Sequence, residues 1–384
     1  MPKQSTKNIQ DAIVRLGEQL GFISIAEFRT NHKGTYSPII DVAWLIDLDQ
    51  HFDIDALKPL FGKEYDNLNT LHRFPIAGFE IEGSNTTSKN QLSNFANLAA
   101  SNFFFKFVLV DNNGALKEND TYRRGVKIAN YFESLIGDNQ IIFSDWLHIK
   151  ESIDRMDTKE MELLHFDWLM WLKSIPNNET SRSAVGGETR SIPVFDSITP
   201  HFRASGLELR ENHQPDLQTM DFEMNKDLLK DATIENEQLK FALRQRFYPL
   251  PDHATIKDVR TVKDAFYVPK LDLVAGFRAP DPFIHWLSIL AGCKHNDVVY
   301  SPLLYNILHL NKKDLFIPLI SCEIETSSNK HLNGGLINMA KNSHVGLLVS
   351  KAGGDSHVSY FSKQLGLNNI YHYCYETRSQ KEEQ

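Results

Sequence analysis

Residues 75–84 read Pro-Ile-Ala-Gly-Phe-Glu-Ile-Glu-Gly-Ser, an apolar run that carries two acids at alternate positions. Residues 318–327 read Pro-Leu-Ile-Ser-Cys-Glu-Ile-Glu-Thr-Ser, at one constant offset: 323 − 80 = 243 and 325 − 82 = 243. Side chains alternate between the faces of a strand. Glu80 and Glu82 therefore share one face while Ala77, Phe79 and Ile81 take the other, and Glu323 and Glu325 are set likewise against Ile320, Cys322 and Ile324. Adjacent carboxylates raise each other's proton affinity unless a cation or solvent takes up the charge. A bound divalent metal ion is the natural resolution.

Each pair has an aspartate upstream. Residues 37–46 form an apolar run around Asp41, and residues 268–274 repeat its Pro-x-x-Asp pattern around Asp272, with 272 − 41 = 231. An acid inside such a run needs a partner, because an unpaired buried charge is costly. Neighbouring strands lie about 4.8 Å apart, so an Asp on one and a Glu on the next reach a common cation. An all-oxygen set favours Mg²⁺ or Mn²⁺ over zinc, which prefers His and Cys. Such ions polarise a phosphoryl oxygen, activate water and stabilise the leaving oxygen of a phosphodiester.

The acids need elements to hold them, and the sequence spells these twice. Apolar residues Ile9, Ile13, Leu16 and Leu20 at helical spacing predict a first helix ending at Gly21. The strand around Asp41, polar helix-prone residues 49–73, the Glu-x-Glu strand, a helix over 91–102, a strand over 103–110, a turn at 111–114 and a helix over 123–136 follow. In the second part a helix is expected over 236–247, residues 330–340 repeat 89–99 at 338 − 97 = 241, and residues 344–350 repeat the 103–110 strand. Four elements recurring in one order mean an internal duplication, with a period too long for a solenoid.

The expectation is therefore an α/β chain of two like domains, each a central mixed sheet flanked by helices: residues 1–143, a helical and loop module over 144–232, and residues 233–384. The module contains a helix over 158–173 and a polar, Gly-rich stretch over 177–190 with Arg182 and Arg190, read as a packed linker or a DNA-contacting loop.

At 384 residues and 41% hydrophobic content the chain suffices for two domains and their cores. A net charge of −8 argues against a uniformly basic nucleic-acid coat without excluding DNA. Cys293, Cys322 and Cys374 lack metal-binding or disulfide spacing, which fits a reducing compartment. The polar start and the lack of a long apolar run lead to an expectation of a cytoplasmic protein with no membrane association.

Pro-x-x-Asp, then Glu-x-Glu on the next long apolar strand, then a helix, resembles the PD-(D/E)xK nuclease superfamily, whose restriction-endonuclease-like fold many restriction enzymes share. The resemblance covers about residues 9–136 and again 236–375. It implies one catalytic and metal-binding set of Asp41, Glu80 and Glu82 and a second of Asp272, Glu323 and Glu325. It also implies Mg²⁺ or Mn²⁺ as cofactor, double-stranded DNA as partner, and a type II restriction or phage-defence role for a monomer with an internal pseudo-two-fold. Glu82 and Glu325 stand where the family usually has lysine, a variant that some of its active restriction enzymes carry; an acid there ligates metal or acts as a base.

Around this set stand residues with two readings. Lys89 and Lys330 are stand-ins for the missing lysine or solvated helix residues; Glu27 and Asp252 are additional acids or surface charge; Gln91, Asn97 and Asn338 sit on the helix behind the site as hydrogen-bonding residues. The rival functions are a nucleic-acid-binding protein with one working site or none, an RNA-directed nuclease, and a glycosidase. The last is disfavoured because glycosidase carboxylates flank the sugar from different elements, about 5 to 9.5 Å apart.

Overall fold

The computed structural model describes residues 4–29, 38–84, 86–111, 120–132, 141–156, 192–213, 271–292, 316–325, 332–350 and 354–375. Helix α1 (Gln4–Gln19) buries Ile9, Ile13, Leu16 and Leu20, the stripe its spacing predicts. Strands β1 (Ile23–Arg29), β2 (Ile39–Asp47) and β3 (Arg73–Glu82) follow, then α2 (Ser88–Ala99), β4 (Phe105–Val110), α3 (Asp120–Tyr131), β5 (Ile141–Asp145) and α4 (Trp146–Asp154). Thr87 caps α2 and Asp145 caps α4, each side-chain oxygen accepting from a backbone N–H of the first turn.

The second half runs α5 (Ile192–Ser205), β6 (Glu208–His213), β7 (Leu271–Arg278), α6 (Asp281–Gly292), β8 (Phe316–Glu325), α7 (Leu332–Asn342), β9 (Val345–Ser350), α8 (Gly354–Leu365) and β10 (Ile370–Cys374). Among the described residues these strands form two five-stranded mixed sheets, β1-β2-β3-β4-β5 and β6-β7-β8-β9-β10. In both, the first three strands pair antiparallel and the last two join in parallel. Each carries a register shift at the same place, between Trp44 and Leu45 and between Ala275 and Gly276, where 275 − 44 = 231.

The duplication is thus present in topology and in register, and it starts earlier than the sequence reading placed it. Residues 192–213 lie inside the expected connecting module over 144–232, yet β6 pairs with β7 as the edge strand of the second sheet. The signal was weak for physical reasons. Helix α5 contains Pro200, and β6 is a short, charged edge strand, Glu-Leu-Arg-Glu-Asn-His. Strand β5 likewise extends the first sheet to Asp145, past the expected boundary at 143. The helices expected over 158–173 and 236–247 and the stretch over 177–190 lie outside the described residues.

The two halves share a core. The inner faces of both sheets and α6 contribute to one cluster of buried side chains, with Val42, Trp44, Phe79 and Phe107 from the first half and Leu273, Phe277, Phe283 and Trp286 from the second. The Trp44 ring lies 5.3 Å from that of Trp286 and 6.3 Å from that of Phe283. Phe52, which follows β2, packs on Phe277 of β7, while Phe283, at the matching position after β7 (283 − 52 = 231), packs on Trp44 of β2. Each half therefore sends the segment after its second strand onto the other, an isologous arrangement like that of a two-fold dimer. Residues 49–73, polar in aspect, are drawn in by Phe52, Ile54, Leu57, Leu60, Phe61, Leu68 and Leu71, all buried. The outer faces carry separate cores under α2 and α3 and under α7 and α8. No helix among the described residues is long and apolar enough to cross a membrane.

Candidate metal centres

The strand alternation turns out as the sequence reading has it. Ala77, Phe79 and Ile81 enter the shared core, and Glu80 and Glu82 lie on the outer face, opposite Val108 and Val110 of the outer-face cluster. Asp41 lies on that face too, two residues from Ala43 of the same cluster. Helix α2 covers the acids, so Glu80 and Glu82 are 3% and 1% exposed.

Asp41 accepts a hydrogen bond at its Oδ2 from the backbone N–H of Ile81, the residue between the two glutamates, at 2.7 Å. In the second half Asp272 Oδ2 accepts from the N–H of Ile324 at 2.8 Å. The residue pairs match position for position, with 272 − 41 = 231 and 324 − 81 = 243. The bond pins each aspartate between two carboxylates, and Asp41 and Glu80, like Asp272 and Glu323, approach closely enough to share a hydrogen bond.

So much acid under cover holds protons tightly. Burial pushes the carboxyl of Asp41 up, and that of Glu80 well above the usual carboxylate range, with Asp41 adding to it. Burial pushes Glu82 up to about 8 despite the opposing pull of Asn94, Gln91 and Arg124, and pushes Glu323 up to about 9, with Asp272 contributing. Glu80 Oε1 and Glu82 Oε2 are buried without a hydrogen-bond partner. Orphaned buried oxygens of this kind suit a hard divalent cation, which takes oxygen ligands. As they stand, no three acids, histidines or cysteines among the described residues form a ligating cluster. Asp41 Oδ2 is turned to the Ile81 amide, so cation binding requires the carboxylates to reorient.

Helix α2 supplies the polar lining. Asn97 hydrogen-bonds Glu80, Asn94 Nδ2 donates to Glu82 Oε1 at 3.3 Å, and Gln91 also reaches Glu82. Asn94 and Arg124 were missed in the sequence reading; the three-residue spacing 91, 94, 97 on one helix face was the available signal. Lys89 is exposed in the first turn of α2, and Lys330 lies outside the described residues.

Glu27 sits opposite Asp41, between the pairs Ala26–Val42 and Phe28–Ile40, with a left-handed backbone at φ 52°. Its counterpart is Asn212, at φ 51° and opposite Asp272 between Glu211–Leu273 and His213–Leu271. A left-handed non-glycine residue costs roughly 1–2 kcal/mol, and such strain gathers at functional sites. The expected counterpart of Glu27, Asp252, lies outside the described residues, and the register gives that place to Asn212. No protein-family model, curated protein or solved structure matches the chain.

Proposed function

We propose that the protein is a metal-dependent endonuclease that hydrolyses phosphodiester bonds of double-stranded DNA, with one site in each half and each site serving one strand. The observation that carries this reading is the repeat of a carboxylate arrangement down to one bond, aspartate to the amide between two glutamates, at 2.7 and 2.8 Å. An acidic patch kept only for solubility has no reason to repeat a specific aspartate-to-amide hydrogen bond. The finer assignment, a restriction-endonuclease-like unit in each half, is supported by the sheet, with three antiparallel strands, a covering helix and a parallel fourth strand. The restriction or phage-defence role belongs to the same proposal and rests on the resemblance alone.

Asp41, Glu80 and Glu82 would hold Mg²⁺ or Mn²⁺ in the first half, and Asp272, Glu323 and Glu325 in the second. A bound ion of this kind supplies Lewis-acid polarisation of the phosphoryl oxygen and stabilises the leaving oxygen. The chain's own residues supply position and proton transfer. Asn94 donates to Glu82 Oε1 and so leaves Oε2 to face the cation or, once cation binding has expelled the acid's own proton, to accept one from water. The pseudo-two-fold relation of the halves suits the two strands of a duplex, as homodimers suit palindromes.

The test is incubation of supercoiled plasmid and phage DNA with the purified chain in Mg²⁺, Mn²⁺ or EDTA. Discrete fragments that require the metal are expected. Methylated and unmethylated DNA left intact under every condition would overturn the reading in favour of a binding protein.

A further inference from the structure

Resting on that reading, we propose that the first half carries a second ligand site beside its acids: a pocket that takes one nucleobase, with the phosphate of the same nucleotide held by Arg73.

The cavity holds about 460 Å³, the size of a small-molecule site. Its floor is apolar. Leu45 and Phe103 are buried members of the outer-face cluster, and half-buried Ile25 and Phe28 pack against it. The rings of Phe28 and Phe103 meet edge to face at 5.9 Å and 66° rather than lying flat on each other. The rim is polar. Asn69 and Asn102 are exposed amides that offer both donors and acceptors. Asp49 accepts from His72 Nδ1 at 2.8 Å, which fixes that ring on the wall and leaves Nε2 for a ligand. A base presents the matching chemistry, a π-face to stack and an edge of alternating donors and acceptors. Exposed Arg73, the first residue of β3, lines the same cavity and supplies a cation for a phosphate.

The second half shows what fits at this place. Arg210 stands where Ile25 does, with 210 − 25 = 185, and Phe316 stands where Arg73 does, with 316 − 73 = 243. There the Arg210 guanidinium lies 3.8 Å over the Phe316 ring, and Glu208 accepts from Arg210 Nε at 2.9 Å and from Arg278 Nε at 3.0 Å. Gly276, the counterpart of Leu45 with 276 − 45 = 231, makes room for that ring, since a Cβ would lie 2.6 Å from Phe316 Cζ. One copy thus lays a planar group of its own on an aromatic ring. In the other copy the same two positions line a cavity, where a ligand supplies the planar group.

Leu45 and Asp41 lie four residues apart on one face of β2, about 14 Å at the rise of an extended strand. A base bound here therefore belongs to a nucleotide near the bond that the acids would cut, and not to that bond itself.

The experiment uses the full chain in EDTA. Photo-crosslinking of an oligodeoxynucleotide that carries iodouracil, followed by peptide mapping, reads a base presented by a strand. Calorimetry with the four deoxynucleoside monophosphates, their nucleosides and deoxyribose phosphate reads a free ligand. A crosslink at Phe28 or Phe103 is expected and puts a strand's base in the pocket; nucleotide binding without a crosslink supports the pocket with a soluble nucleotide as its occupant. Ile25→Trp, which fills the cavity from an edge strand, and Phe28→Ala should each weaken the interaction about tenfold or more, with far-UV circular dichroism matching the wild type. Arg73→Gln should weaken nucleotide binding about tenfold and leave nucleoside binding unchanged. Neither a crosslink nor nucleotide binding, or binding that deoxyribose phosphate matches or that Ile25→Trp leaves intact, would overturn the pocket while metal-dependent cleavage still stood. Nucleotide binding by a chain that cleaves no DNA would overturn the proposed function and leave the pocket.

Discussion

The carboxylates of Glu80 and Glu82 are 3% and 1% exposed beneath a polar helix face, whereas Glu323 and Glu325, at the same places in the second sheet, are half-buried beneath a helix with glycine at the matching turn. The strands under both sets agree in order, direction, register shift and the aspartate-to-amide bond. The difference lies in the covering helices. Sheet geometry is held by the shared aromatic core on the inner face, which tolerates little change in volume. A helix on the outer face answers only to its own smaller core, so its polar face was free to diverge.

The largest effect should come from breaking what the halves have in common. Trp44 is fully buried, touches Phe22, Phe79, Phe283 and Trp286, and donates its indole N–H to the Ile13 carbonyl at 3.1 Å. Trp44→Ala should cost about 3–5 kcal/mol, and urea unfolding followed by fluorescence and circular dichroism should remain a single transition for the whole chain. Separate transitions for the two halves would break the shared-core account.

A second effect is electrostatic. An acid whose folded pKa is raised binds more protons folded than unfolded, so its contribution is fully present below the unfolded value and is lost as pH rises through the folded one. Glu82, held at about 8, and Glu323, at about 9, place this window between the ordinary carboxylate value of 4.5 and about pH 9. The metal-free protein should lose thermal stability across that window, and Mg²⁺ should restore more of it at pH 8.5 than at pH 6, since cation binding expels the protons. Glu82→Gln should flatten the slope from about pH 4.5 to 8, and Glu323→Gln should flatten it from about pH 4.5 to 9, so that between pH 8 and 9 only Glu323→Gln has an effect. A melting temperature independent of pH between 5 and 9 would count against the buried acids. The smallest effect is expected at Lys89, whose exposed position in α2 predicts that Lys89→Gln leaves metal-dependent cleavage unchanged.

Much of the site was legible because period two leaves no choice. Once residues 75–82 are a strand with an apolar inner face, Glu80 and Glu82 must share the other face, and the 243-residue repeat fixes the second pair. The aspartates were legible as acids inside apolar runs. The start of the second half was not, because an edge strand needs neither an apolar face nor alternation; β6 buries too little of itself to leave a pattern. Nor could spacing reveal the left-handed backbone at Glu27, which depends on pairing across β1 and β2, or the role of Arg124, whose partners Gln91 and Thr86 lie over 30 residues away on the chain. The shared core was hidden for a similar reason. Phe52 reads as an isolated aromatic in polar surroundings, and Phe283 as one apolar residue among many in its helix, until the second sheet is brought against the first.

The central claim, two copies of one metal-dependent site serving two strands, is tested most directly on supercoiled plasmid with four proteins: wild type, Glu80→Ala, Glu323→Ala and the double variant. The account predicts linear product from the wild type, nicked circles from each single variant with the nicks on opposite strands, and no cleavage by the double variant. Loss of all cleavage in both single variants, or full cleavage by the double variant, would contradict it.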